Sequence, residues 1–230
     1  MATKNSWNNT ISNADVTLNG GTVSIGTDAV GNAINVGTGA AARTMTIGNT
    51  NLKTGTGDFT LASATGTIMN AADTGEINYP LQPAFLARLN VDRNNVTGDG
   101  TIYTIDFGAE VFDQGNNFNN TTTFTAPVTG KYVFYATASI IDLTDNHTTG
   151  YLDISTSNRS YKSCMWDWGT FRSPAINGNQ VTLTHTVCCD MDIADIMQFR
   201  VKVSNSTKVV DINTSGVVNP FTTLSGYLVA

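Results

Sequence analysis

Apolar and polar residues alternate most regularly between positions 118 and 140. Phe118 and Phe124 lead into Thr125-Ala126-Pro127 and Gly130 closes a turn; Tyr132, Phe134, Ala136, Ala138 and Ile140 then alternate with Lys131, Val133, Tyr135, Thr137 and Ser139. A period of two puts the first set on one face of a strand and the second on the other, which predicts a hairpin whose aromatic face enters a core. The same alternation predicts strands over 85–89, 101–105, 122–125, 131–141, 151–157, 160–165, 181–191, 197–203 and 222–229, and no amphipathic helix of useful length. Many short strands separated by Gly, Asn and Pro turns imply an all-β jelly-roll sandwich.

Upstream the pattern changes. Val23-Ser24-Ile25-Gly26, Ile34-Asn35-Val36-Gly37 and Met45-Thr46-Ile47-Gly48 align without gaps, each apolar pair and each glycine returning after 11 residues. Val16 and Leu18 before Gly20, and Phe59 and Leu61 after Gly57, read as irregular flanking copies. A unit this short holds one brief strand and a turn, so it cannot fold alone and must stack. Two β architectures fit, a single-chain solenoid or three chains wound together, and the thin supply of apolar side chains favours the intertwined form. Pro80 and Pro83 then interrupt any ladder. The chain thus divides into a repetitive β stem at 1–78, a neck at 79–83 and a head at 84–230.

Composition sharpens this division. The first 78 residues hold only Trp7 and Phe59 of the chain's aromatics, too few for an ordinary globular core. Charged residues make up 13% of the chain, against roughly 25% in typical domains, while Asn, Thr, Gly and Ser abound. Such surfaces suit extracellular fibres and capsid parts. The net charge is −6, and no run of Lys or Arg offers a phosphate-binding stripe, so nucleic acid is not an expected partner. No apolar stretch follows Met1-Ala2-Thr3-Lys4-Asn5, and none approaches the roughly 20 residues needed to span a bilayer. A soluble product made in the cytoplasm, without membrane insertion, is expected. Cys164, Cys188 and Cys189 do not form an even secretory framework. Cys188 and Cys189, adjacent on a strand, must point to opposite faces.

Three sets of residues carry a resemblance. Phe124-Thr125-Ala126-Pro127, Gly130-Lys131-Tyr132-Val133-Phe134 and Ser225-Gly226-Tyr227 together resemble the signature of C1q/TNF-like heads. The wording of the repeat, from Asn35 to Asn49, resembles the shafts of bacteriophage tail fibres. Tyr79-Pro80-Leu81-Gln82-Pro83-Ala84-Phe85-Leu86-Ala87 resembles the shaft-to-head junction of marine phage tail fibres, which pair a repetitive stem with a C1q-like tip. The resemblance implies a homotrimer with a C1q/TNF-like jelly-roll head.

If the last six strands run antiparallel in turn, the loops at 142–150, 167–179 and 204–219 share one end and the C-terminus lies at the other. In C1q-like heads the stalk enters at the C-terminal end, so by resemblance these loops form the distal tip. Candidate receptor-binding residues there are His147, Tyr151, Tyr161, Trp166, Asp167, Trp168, Phe171 and Arg172, because aromatic rings beside short polar groups supply stacking surface together with orienting hydrogen bonds. His185 shares the inward parity of Val181, Leu183 and Val187 and reads as a hydrogen-bonded core or interface histidine. Asp190, Asp192 and Asp195 read as turn carboxylates rather than a calcium site. No metal, cofactor or catalytic site is expected, since no nucleophile elbow, zinc spacing or assignable carboxylate pair is present.

The reading that follows is a virion component, a trimeric tail fibre or adhesin. Its N-terminal stem would attach to other virion or tail proteins, and its distal head would bind a host surface glycan or protein receptor. The alternatives are a capsid decoration or vertex spike without receptor binding, and a cellular C1q-like lectin or ligand.

Overall fold

The computed structural model describes residues 59–63, 66–72, 75–163, 179–216 and 218–230. The repeats at 23–48 lie outside the described residues. Every described element is a strand: β1 Phe59–Ser63, β2 Gly66–Ala71, β3 Ile77–Asn78, β4 Ala84–Leu89, β5 Arg93–Thr97, β6 Ile102–Thr104, β7 Gly108–Gln114, β8 Thr123–Thr125, β9 Gly130–Ile141, β10 Thr149–Thr156, β11 Ser160–Ser163, β12 Val181–Met191, β13 Ile196–Ser204, β14 Val210–Asn213 and β15 Thr223–Leu228. β1 to β3 form a small antiparallel sheet before the neck.

From β4 onward the chain builds two facing sheets. In the larger, β9 is central: β12 pairs along one side of it, and β14 and β15 lie end to end along the other. β15 then pairs with β4 and β4 with β7, while β14 pairs with β5. In the smaller, β13 pairs on one side with β10, which carries β11, and on the other with β6 and β8. Successive strands from β5 to β10 change sheet at every connection. That alternation makes this an all-β jelly roll.

Period-two alternation accounts for the core. Tyr132, Phe134, Ala136, Ala138 and Ile140 of β9 are buried, as are Phe85, Ala87 and Leu89 of β4. They face Phe124, Leu152, Ile154, Met197, Phe199, Val201 and Val203 of the smaller sheet. Phe85 stacks on Phe118 at 5.0 Å and on Phe124 at 5.1 Å between ring centroids. Phe124 meets Tyr132 and Phe134 edge-on, each at 5.5 Å. The Tyr132 hydroxyl donates to the Val128 carbonyl at 2.7 Å, so this buried phenol leaves no donor unpaired. Gly226 sits among these rings. A Cβ there would press into Phe134 and come within 3.0 Å of Phe85 Cε1. Gly226→Ala should therefore cost about 1–3 kcal/mol through overpacking, read as a lower urea midpoint at unchanged slope.

Each strand expected from the sequence coincides with an observed one, though residues 164 and 165 of the stretch at 160–165 lie outside the described residues. Three strands in the head were not expected. β5 has one apolar residue and β14 is four residues long, so neither shows enough alternation. β7 is a sheet-edge strand in which Val111 and Phe112 are both exposed, breaking the alternation. β14 also corrects the expected loop at 204–219. That loop is two connections: 205–209 at the end of the sandwich, and 214–222, which leaves and rejoins the side of β9. Thr222 closes the gap, its Oγ1 accepting the Ser139 amide at 3.0 Å and donating to the Asn213 carbonyl at 2.7 Å.

Candidate functional site

Strand register places the connections. β9 ends where β12 begins, since Ile140 pairs with Val181, and β13 ends where β10 begins, since Ser204 pairs with Thr149. The loop at 142–148, residues 179–180 and the loop at 205–209 therefore lie at one end, and the Leu143 amide reaches the Asn179 carbonyl. At the opposite end the Leu228 amide donates to the Pro83 carbonyl at 3.1 Å, and the Lys131 amide to the Ala230 carbonyl at 2.7 Å. The neck enters where the C-terminus leaves, and the loops at 142–148 and 205–209 are distal to both.

His147 holds these distal loops together. It has no exposed surface. The Thr144 amide donates to Nδ1 at 2.9 Å, so the ring proton sits on Nε2, which donates to the Thr207 carbonyl at 3.1 Å. A ring so enclosed offers nothing to a receptor and serves as a staple between the two loops. His147→Leu keeps the volume and strands both partners, at a cost of about 1–3 kcal/mol per buried polar group left unpaired. The expected result is a lower thermal midpoint with faster protease cleavage within 142–148.

Tyr151 and Tyr161 lie elsewhere. Tyr161 has the inward parity of β11 and is half-buried at the open side of the sandwich; burial raises its phenol pKa, and its carbonyl accepts from His185 Nε2 at 2.7 Å. His185 is thus inward-facing and hydrogen-bonded. Tyr151 is on the outer face of the smaller sheet, only 8% exposed, with Lys162 Nζ 4.6 Å and Lys202 Nζ 5.9 Å from its ring centroid. Trp166, Asp167, Trp168, Phe171 and Arg172 lie outside the described residues, as does Cys164. His147, Tyr151 and Tyr161 occupy three different surroundings and share no single patch.

Beside Tyr151 stands a buried ion pair. Asp153, with no exposed surface, takes Arg200 Nη2 at 2.6 Å and Nε at 3.1 Å on one oxygen and the Ser160 hydroxyl at 2.7 Å on the other. Its carboxylate is fully engaged. The larger sheet has a different outer face. Phe112, Leu86, Ser225, Tyr135 and Thr186 form one row across β7, β4, β15, β9 and β12, and Gln114, Ala84, Tyr227, Val133 and Cys188 the next. Neither row contains a charge. The Tyr135 and Tyr227 rings stack at 6.3 Å and both remain more than 40% exposed, while Phe112 is 50% exposed. Cys188 is exposed on this face and Cys189 buried behind it, where desolvation first, then Cys188 and Asp190, push its thiol up to about 11. Asp190, Asp192 and Asp195 lie at the neck end, with Asp190 facing Arg159 and Asp195 accepting from the Asp192 amide and Asn158.

Among known proteins, no family model and no curated sequence matches the chain. Solved structures do resemble it. Murine APRIL at pH 8.5 aligns with a TM-score of 0.42 and 11% identity, covering 64% of this chain and 99% of that one. The globular domain of zebrafish complement 1qA aligns with a TM-score of 0.40 and 18% identity, covering 65% and 98%.

Sequence reasoning singled out Tyr151 but missed Lys162, Arg200, Lys202 and Asp153. Each sits on an outward position of its strand, which marks it as solvated in one dimension. Only the pairing of β11, β10 and β13 brings them together on one face.

Proposed function

We propose that the chain is a homotrimeric bacteriophage tail fibre protein, joined to the particle through its N-terminal stem and presenting the distal end of its head to a receptor on the host surface. The observation that carries this reading is the Leu228 to Pro83 contact, which puts entry and exit of the head at one end and leaves the stapled loops at the other. Whatever precedes the neck therefore carries those loops outward.

Self-association has its own support. The two uncharged rows around Tyr135 and Tyr227 lie toward the neck end, and Leu61, Ile68, Ile77, Tyr79 and Leu81 just upstream are 42 to 58% exposed. Exposed apolar side chains both in this segment and on the two rows of the head mark interaction surfaces. Lacking charge, the two rows of the head meet an identical copy without repulsion, and a closed ring of three would cover them on every chain. Three heads on one fibre turn weak contacts into firm attachment through effective concentration.

The test has two arms. Light scattering should give a three-chain mass, and Tyr135→Glu with Tyr227→Glu should give monomer. Imaging of intact particles with an antibody to the loop at 142–148 should show label away from the particle body. Label against the body would refute the fibre reading in favour of a decoration protein.

A further inference from the structure

We infer that the outer face of the smaller sheet, around Tyr151, Lys162 and Lys202, is a binding site for an acidic glycan bearing carboxylate or sulfate groups; the assignment of this glycan as host receptor rests on the attachment reading above. Pairing register builds the site from three strands. Lys162 of β11 stands opposite Asp153, Arg200 of β13 stands opposite Asp153 from the other side, and Lys202 stands opposite Tyr151. Four charged groups thus share one face of a chain whose net charge is −6.

Their charges do not cancel. Asp153 gives both oxygens to Arg200 and Ser160. Lys162 and Lys202 have no ion pair among the described residues and instead approach the Tyr151 ring. The ring's π-system attracts both ammonium groups, which come from the strands on either side of β10. Tyr151 makes no side-chain hydrogen bond with any described residue. Two ammonium groups and a phenol, held in place before a ligand arrives, form a donor set for an oxyanion at reduced entropic cost.

The surroundings suit a sugar. Gly100 has φ +95, a backbone conformation that favours glycine, and a Cβ on it would stand 3.6 Å from Ser204 Oγ and 3.7 Å from Lys202 Cε, so a hydroxyl and a lysine stem border the site there. Ile102, directly opposite Lys202, is 50% exposed and offers an apolar contact for a pyranose face. Two lysines beside a hydroxyl and an aliphatic side chain suit one acid group per few sugars; a nucleic acid backbone would require a longer basic stripe.

Binding of the full-length protein to dextran sulfate, polygalacturonate and neutral dextran, each immobilised, tests the site. Salt-sensitive binding to one or both polyanions and none to dextran is expected, and the polymer bound identifies the acid group. Lys162→Ala with Lys202→Ala should weaken binding at least tenfold at an unchanged melting temperature, and Tyr151→Phe severalfold. Lys131→Ala with Arg159→Ala, which removes equal charge at the neck end, should leave it within twofold. No binding to either polyanion, or equal loss in the two double variants, overturns the site. Purified protein that blocks particle adsorption yet ignores both polyanions overturns this assignment alone and leaves the attachment reading intact.

Discussion

Phe124→Ala is expected to lower the unfolding free energy of the head by about 3–5 kcal/mol. Phe124 belongs to β8 of the smaller sheet, yet its ring lies against Phe85, Tyr132 and Phe134 of the larger one. It is 1% exposed. Removing it deletes contacts on both sides of the interface between the sheets and leaves a void that ring-shaped neighbours cannot collapse to fill. The measurement is urea denaturation at fixed protein concentration, because self-association would make the midpoint concentration-dependent. Phe124→Leu should recover part of the loss. Phe221→Ala, at a ring that is 41% exposed, should cost under about 1 kcal/mol. Equal losses at Phe124 and Phe221 would contradict this packing.

Arg200→Leu should destabilise the head by about 3–5 kcal/mol for a different reason. Asp153 is enclosed, and Arg200 is its one cationic partner among the described residues, at 2.6 Å. Without the guanidinium a buried carboxylate keeps, among the described residues, only the Ser160 hydroxyl and must either stay charged without compensation or take up a proton. The double variant Asp153→Leu with Arg200→Leu removes both charges, and it should regain most of the stability lost in the single variant. Additive losses in that double-mutant cycle would show that the pair is not coupled. Arg200 also draws Asp153 away from Lys162, so the single variant should let the freed carboxylate pair with Lys162 and weaken polyanion binding as well.

Much of the head was legible in one dimension. The alternation from Lys131 to Ile140 assigned every core residue of β9, and the same rule placed Cys188 outside, Cys189 inside and His185 inward. The parity argument also put the loop expected at 142–150 at the far end from the C-terminus. Strands with little apolar content escaped: β5 and β14 are held by neighbours more than by pattern, and β7 sits at an edge where alternation is not enforced. Among the candidate site residues, aromatic character alone did not distinguish an enclosed staple from a surface contact. His147 turns out to be enclosed because Thr144 and Thr207 converge on it, and those partners are separated from it by 3 and 60 positions.

Alternation is local, since it depends only on the geometry of a single strand, and so the sequence by itself determined which side chains face the core and that the head is a β sandwich. It contains no information about which strand lies beside which. Tertiary structure alone decided that Tyr151, Lys162 and Lys202, spread over more than fifty positions of the chain, stand on neighbouring strands around one ring, because inter-strand hydrogen bonding sets register and thereby chooses the neighbours of every outward side chain.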